Sequence, residues 1–444
     1  MVHPIRLAVL ATILGFNTLA MAQPADGREL GFAVSTAQDG DLAAAIGRAQ
    51  AACMSTIHIS IGWKELHPDT VTWNADVLEN LDLINLYFAA LGVKVELQIG
   101  PVNTVVDQLP IELVGLPYDD PRVIRDMQRT VDTVFAHLPD VELAALNISN
   151  ESDAYWGTDL ITYTQFGNMM QTIVPYAKAH YQTSHGDTLS VGTTFTWFGL
   201  TDPQTASLCQ IANAYSDHIS VTYYPILNDF TVKPPSAVIQ DLALLVTMQS
   251  GPQPIRLAEI GCPSSTTCVS SEAIQAQFVE AAFTAWDQHM DRIPYMGWFL
   301  LTDWDSATVD TLGTYYGISD PVFLEYLRTL GLRTWQDSGM DKLAYPTLLC
   351  ELQARNFCAT NCVNAVAEEE MEQMLIFPNP ASGKIRISGV AIKDGDPVQF
   401  ISMQGRRVSI LPFAAEMDVS MFAPGAYMVR MADRPPIQLL IVGW

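Results

Sequence analysis

The chain has 444 residues, 49% of them hydrophobic, and its 48 acidic side chains against 23 basic ones give a formal net charge of −25. That length holds two or three domains, or one large barrel with an appendage, and the apolar content excludes general disorder. The acidic balance argues against sequence-independent nucleic-acid binding, which draws its affinity from counterions released by Lys and Arg.

Met1–Arg6 carries positive charge, Leu7–Ala20 is largely apolar, and Ala20-Met21-Ala22 offers a small-x-small cleavage site. This is the layout of a secretory signal peptide over residues 1–22. No later segment is apolar for long enough to span a bilayer, so no transmembrane segment is expected in the mature chain. An exported chain can form disulfides. Cys262 with Cys268, and the cluster Cys350, Cys358 and Cys362, are candidate pairs, whereas Cys53 and Cys209 read as buried thiols on helices. Seven cysteines leave at least one unpaired. No histidine or second cysteine pair follows Cys358 and Cys362, which weakens a zinc reading.

From about Leu30 to Leu332 short apolar runs alternate with helix-patterned ones. The expected strands are Gly31–Ser35, Thr56–Gly62, Lys94–Gly100, Val141–Ile148, Leu189–Phe195, His218–Tyr223, Ile255–Ile260 and Tyr295–Leu301. Amphipathic stretches between them include Val77–Leu91, Arg122–Leu138, Tyr163–His180, Glu272–His289 and Pro321–Leu330. Eight strand–helix units predict an α/β fold, a (β/α)8 TIM barrel over residues 23–364, with Arg333–Cys362 as a closing tail. No Gly-x-Gly-x-x-Gly follows the first strand, so no dinucleotide cofactor is expected. Residues 365–373 form an acidic linker containing Glu368, Glu369, Glu370 and Glu372. Beyond it, the short runs Ile385–Ile387, Val398–Ser402, Arg407–Leu411 and Tyr427–Met431, separated by Gly and Pro, predict a small all-β sandwich over residues 374–444.

In such a barrel the chemistry lies at the C-terminal ends of the strands. Asn150-Glu151 follows the fourth strand, and Glu259 closes the seventh. A carboxylate there costs several kcal/mol to desolvate unless it is paired or hydrogen-bonded, and the two strands lie across the mouth from each other. Two facing carboxylates suit glycoside hydrolysis: at a separation of about 5–5.5 Å one attacks the anomeric carbon while the other protonates the leaving oxygen. The arrangement resembles the retaining glycoside hydrolases of clan A, in which an Asn-Glu pair ends strand four and a second Glu ends strand seven. The resemblance implies Glu151 as acid/base and Glu259 as nucleophile, with Asn150, Tyr223 and Trp298 as substrate-binding or supporting residues. It departs at strands two and three. Ile61-Gly62-Trp63-Lys64 and Ile99-Gly100-Pro101 stand where the clan commonly carries an Arg and a His, and Lys64 is a candidate for the missing charge.

Trp63, Trp156, Trp197, Trp298 and Trp304 fall at or beyond predicted strand ends, where aromatic faces can stack on sugar rings. Trp63, Trp197, Trp298 and Trp304 are the candidates for binding substrate, and rim packing accounts for some of the five. Asp303 and Asp305 read as solvated loop charges, and His58 and His218 as satisfied core residues. No cluster has metal spacing and no Gly-x-Ser-x-Gly elbow occurs, so neither metal, cofactor nor esterase chemistry is expected.

Phe377-Pro378-Asn379-Pro380, Gln404-Gly405-Arg406-Arg407 and Pro424-Gly425-Ala426-Tyr427 resemble, in that order, the C-terminal sorting domain of the bacterial type IX secretion system. The resemblance implies passage through the periplasm and outer membrane to the surface or medium, with that machinery as partner. Gly443-Trp444 lacks the basic residue usual at its end. The sequence thus points to a secreted retaining O-glycoside hydrolase acting on a poly- or oligosaccharide. The alternative is a non-catalytic, cell-surface glycan-binding barrel.

Overall fold

The computed structural model describes residues 27–358, 362, 375–377, 379–388, 395–402, 407–431 and 437–442. The expected signal peptide, the acidic linker and the Gln404-Gly405-Arg406 turn lie outside the described residues. Contacts divide the chain into two units, with the boundary after residue 363.

The first unit contains eight parallel strands: β1 (Glu29–Phe32), β2 (Thr56–Gly62), β3 (Lys94–Asn103), β4 (Leu143–Asn150), β5 (Val191–Thr196), β6 (His218–Tyr223), β7 (Ile255–Ile260) and β8 (Tyr295–Trp298). They pair in sequence order and close through β8 with β1. The result is a (β/α)8 barrel. Its helices start where local chemistry dictates. Asp120 accepts the Arg122 N–H at 2.8 Å and Pro121 occupies the first turn, so the helix runs Pro121–His137.

Strands buried on both faces hide two side-chain rows of opposite parity. On β2, Ile57 and Ile59 face the helices, while His58 and Ser60 face inward. The interior carries an unusual amount of polarity for a barrel core. Arg256 Nε and Nη2 donate to Glu96 at 3.3 and 3.4 Å, and Asn147 Nδ2 adds a bond at 3.0 Å. His218 bridges Ser190 and Asn147 at 2.8 Å each, the satisfied core role expected of it. Burial pushes Glu96 up, but the Arg256 charge and the hydrogen bonds outweigh it and hold the carboxyl below its ordinary value. Gly31 is dictated by packing, since a Cβ there would stand 1.9 Å from the Tyr295 hydroxyl.

One expected barrel helix belongs elsewhere. Pro321–Arg328 and Ser306–Tyr316 form an excursion over the mouth, packing with Ile226 and Phe230 in an apolar cluster of their own. The excursion leaves and rejoins the barrel at one bridge, Thr302 with Arg333. The eighth barrel helix is Ala344–Ala354, in the closing tail, packed on Glu272–Gln288. Asp303 is not a solvated charge: Lys342 Nζ meets it at 2.7 Å, and both are buried. Asp305 caps the Ser306–Tyr316 helix.

The cysteine expectations need correction as well. Cys53 is bonded to Cys358 and Cys350 to Cys362, whereas Cys262, Cys268 and Cys209 are buried free thiols. The Cys262 thiol turns to the Pro263 carbonyl and the Cys268 thiol to the Val322 carbonyl beneath the excursion, so the two do not face each other as a pair.

The second unit is antiparallel. Leu375–Phe377, Lys384–Ser388 and Met417–Asp418 form one sheet, and Arg407–Pro412, Pro397–Ser402, Gly425–Met431 and Ile437–Ile441 the other. Ile385 and Met417 from the first sheet share a core with Val398, Phe400 and Val429 from the second. Among the described residues no helix is long and apolar enough to cross a membrane.

Candidate active site

A cavity of about 450 Å³ opens at the C-terminal ends of the strands. Glu151 enters it directly after β4, at φ 45°. A left-handed backbone at a non-glycine residue costs on the order of 1–3 kcal/mol, a strain found where a functional side chain must be aimed. Glu259 reaches the cavity through a different device. β6 and β7 pair Val221 with Leu257 but Thr222 with Glu259, so Ala258 is bulged out and the following side chain is re-aimed inward.

The two carboxylates are held differently. Glu151 accepts the Thr104 hydroxyl at 2.8 Å and the Thr222 hydroxyl at 2.5 Å. Glu259 accepts the Tyr224 phenol at 2.7 Å through Oε2, while His58 Nε2 stands 3.9 Å from its Oε1. Burial raises both carboxyls above their ordinary value, against the hydroxyl donors, and the nearby charge of Glu151 raises Glu259 further. Each carboxyl therefore holds a proton more tightly than a free carboxylate does. Hydroxyls of Thr104 and Thr222 can donate to an ionised Glu151 or accept from a protonated one. The Tyr224 phenol, pushed well up by burial and by the charge of Glu259, acts as a donor and favours the ionised form of Glu259.

Of the sequence candidates, Glu151, Glu259, Asn150, Trp197 and Trp304 line the cavity. Asn150 Nδ2 donates to Asn103 at 3.1 Å, and its Oδ1 is buried without a partner. Trp197 is fixed by a 2.9 Å bond to the Asp241 carbonyl. Trp63, Tyr223 and Trp298 do not line it. Trp63 is buried and donates to Thr130 at 2.8 Å, Tyr223 donates to Asp241 at 2.9 Å, and Trp298 packs on Phe278 and Phe283. Trp156 is a core residue against Tyr118 and Phe166. Lys64 is exposed and supplies no charge to the site. Among the described residues no Lys or Arg lines the cavity, whereas Glu65 joins the two central carboxylates.

Residues not singled out in the sequence complete the site. Thr104, Thr222, Tyr224, Phe299 and the aromatics Tyr315, Tyr316, Phe323 and Tyr326 of the excursion form its walls and roof. Tyr315 donates to the Asn103 carbonyl at 2.7 Å, fastening the roof to the end of β3. His58 also lines the cavity and has no hydrogen-bond partner on either ring nitrogen, contrary to its expected role as a satisfied core residue.

The barrel is similar to solved glycoside hydrolase structures. A GH5_18 protein from Bifidobacterium longum subsp. longum, bound to Manβ1-4GlcNAc, matches with a TM-score of 0.56 and 16% identity over 75% of this chain and 79% of that one. One from Streptomyces cattleya, with the same ligand, gives 0.55 and 16% over 75% and 81%. An exo-β-1,4-mannosidase from Opitutaceae bacterium strain TAV5 gives 0.53 and 13% over 76% and 63%. At these identities the likeness establishes the barrel fold alone. Residues 375–437 match the family model for the secretion system C-terminal sorting domain. No curated protein matches the sequence.

Proposed function

We propose that the chain is an exported retaining glycoside hydrolase, with Glu259 as nucleophile and Glu151 as acid/base. The observation that carries this reading is the convergence of two carboxylates, from β4 and β7, in one aromatic-lined cavity with different hydrogen-bond partners. Ionised Glu259 attacks the anomeric carbon while Glu151 passes its proton to the leaving oxygen. Glu151, now ionised, takes a proton from the water that releases the sugar from the Glu259 ester, and the configuration is retained. Asn150 offers its unpartnered carbonyl to a sugar hydroxyl.

A cavity with carboxylates and, among the described residues, no Lys or Arg disfavours uronates and sulfated sugars, so the substrate is a neutral glycan. The excursion roofs the cavity and is fastened to the end of β3 by the Tyr315–Asn103 bond, which favours the end of a short chain as substrate. β-Mannosides come first among substrates to try, because similar barrels include an exo-β-1,4-mannosidase and proteins bound to Manβ1-4GlcNAc. The C-terminal unit supports export by the type IX route.

The test is hydrolysis of neutral β-glycosides, β-mannosides included, by the wild type and by Glu151→Ala and Glu259→Ala. Both variants should lose at least about a thousandfold in kcat, and azide should restore Glu151→Ala on a substrate with an activated leaving group. Full activity in both variants would end the proposal, and binding without turnover in the wild type would favour a glycan-binding barrel.

A further inference from the structure

His58 projects from β2 onto the cavity floor and is 9% exposed. A buried imidazole with neither nitrogen hydrogen-bonded is an exception that calls for a cause. The charged groups around it come from three strands. Glu96 stands beside it on β3, already neutralised by Arg256 of β7. Glu259, also of β7, faces it at 3.9 Å through the oxygen that Tyr224 leaves free. Glu151, after β4, lies beyond and acts on Glu259 by charge. With no Lys or Arg among the described lining residues, His58 is the group on the floor that can become a cation beside Glu259.

We propose that His58 is a positioning residue that takes the proton of Glu259, so that the two side chains work as one proton-sharing pair. Once the 3.9 Å gap closes to hydrogen-bond distance or is bridged by one water, the proton moves from Glu259 Oε1 to His58 Nε2, leaving a carboxylate and an imidazolium with no change in net charge. Burial lowers the histidine from its ordinary value and raises the glutamic acid to about 8, so each alone favours its neutral form and the transfer draws on the attraction between the two opposite charges it creates. Two charges formed together at this separation compensate each other where one alone would not be tolerated. The inference rests on Glu259 being the nucleophile, because it explains how that carboxyl becomes ionised in a buried site.

The test uses the full chain and two readouts. In the first, the 15N imidazole signals of histidine-labelled protein are followed with pH in the wild type and in Glu259→Gln. The His58 titration should move to lower pH by at least about one unit when the carboxyl is removed. In the second, the acidic limb of kcat/KM should move up by about one unit in His58→Asn and down in His58→Lys, with KM nearly unchanged. A merely structural histidine would lower Tm and leave the limb in place. An inactive Glu259→Gln together with an unmoved His58 titration and an unmoved limb in His58→Asn overturns the pair and leaves the nucleophile standing. Full activity in Glu259→Gln overturns both.

Discussion

Adjacent tyrosines at the end of β6 allow a sharp comparison, because removing one hydroxyl from each should have opposite consequences. The Tyr224 hydroxyl donates to Glu259 at 2.7 Å, inside the cavity. The Tyr223 hydroxyl donates to Asp241 at 2.9 Å, between barrel and helices, where Lys233 also meets that carboxylate at 2.8 Å. A hydrogen bond to a charged group contributes about 1.5–3 kcal/mol, which corresponds to roughly 10- to 150-fold if it is lost from the transition state. Tyr224→Phe should lower kcat/KM by that factor. It should also move the acidic limb upward, because the lost donor favoured the ionised form of Glu259. Tyr223→Phe should keep kcat/KM within about threefold and instead lower stability to urea by about 1–3 kcal/mol, since Asp241 retains Lys233. Initial rates on an accepted aryl β-glycoside across pH, with urea unfolding followed by tryptophan fluorescence, read both effects. Equal losses of kcat/KM in the two variants would refute the assignment.

Two further expectations concern stability. Asp153 is buried, accepts the Thr196 N–H at 2.8 Å, and is pushed up to about 7, chiefly by burial. A carboxyl with a raised folded-state pKa binds its proton more tightly folded than unfolded. Its stabilisation is therefore full below the ordinary carboxylate range and fades as pH rises towards about 7, by on the order of 4 kcal/mol. Asp153→Asn should flatten that fall in urea-unfolding free energy between acidic and neutral buffer, and an unchanged slope would contradict the argument. Cys358→Ser opens a link between residues 305 positions apart, whereas Cys362→Ser opens one of 12. Chain entropy makes the first loss about 3 kcal/mol larger than the second, and the reverse order in urea would refute it.

The barrel and its two carboxylates were legible because apolar runs of strand length ended on polar groups at regular intervals. Two of the three misplaced aromatics share one cause. Thr222 and Gly297 lie on the inward row, so Tyr223 and Trp298, one position on, fall on the other side, while Tyr224 and Phe299 fall inside; Trp63 instead opens a short helix after β2 and is drawn to Thr130. Period-two alternation carried that signal, and strand-end position alone did not. Glu259 obeys neither rule on its own. It lies three positions after inward Arg256, and the bulge at Ala258 restores its direction. The excursion was legible only as a helix at Pro321, because its place over the mouth is decided by tertiary packing with Ile226 and Phe230. The disulfides were hidden for a related reason, since Cys53 and Cys358 meet only once the barrel has closed.

The bridge between Thr302 and Arg333 has a bearing on how such a protein can diverge. Everything between those residues leaves and returns at a single point, and it supplies much of the roof of the cavity. The two carboxylates are rooted elsewhere, on β4 and β7. A loop whose ends are already held together can change in length and composition with little cost to the framework that carries it. Selection could therefore rewrite the choice of glycan within about thirty consecutive residues, leaving bond cleavage untouched, and a chimera exchanging that stretch would transfer preference without transferring chemistry.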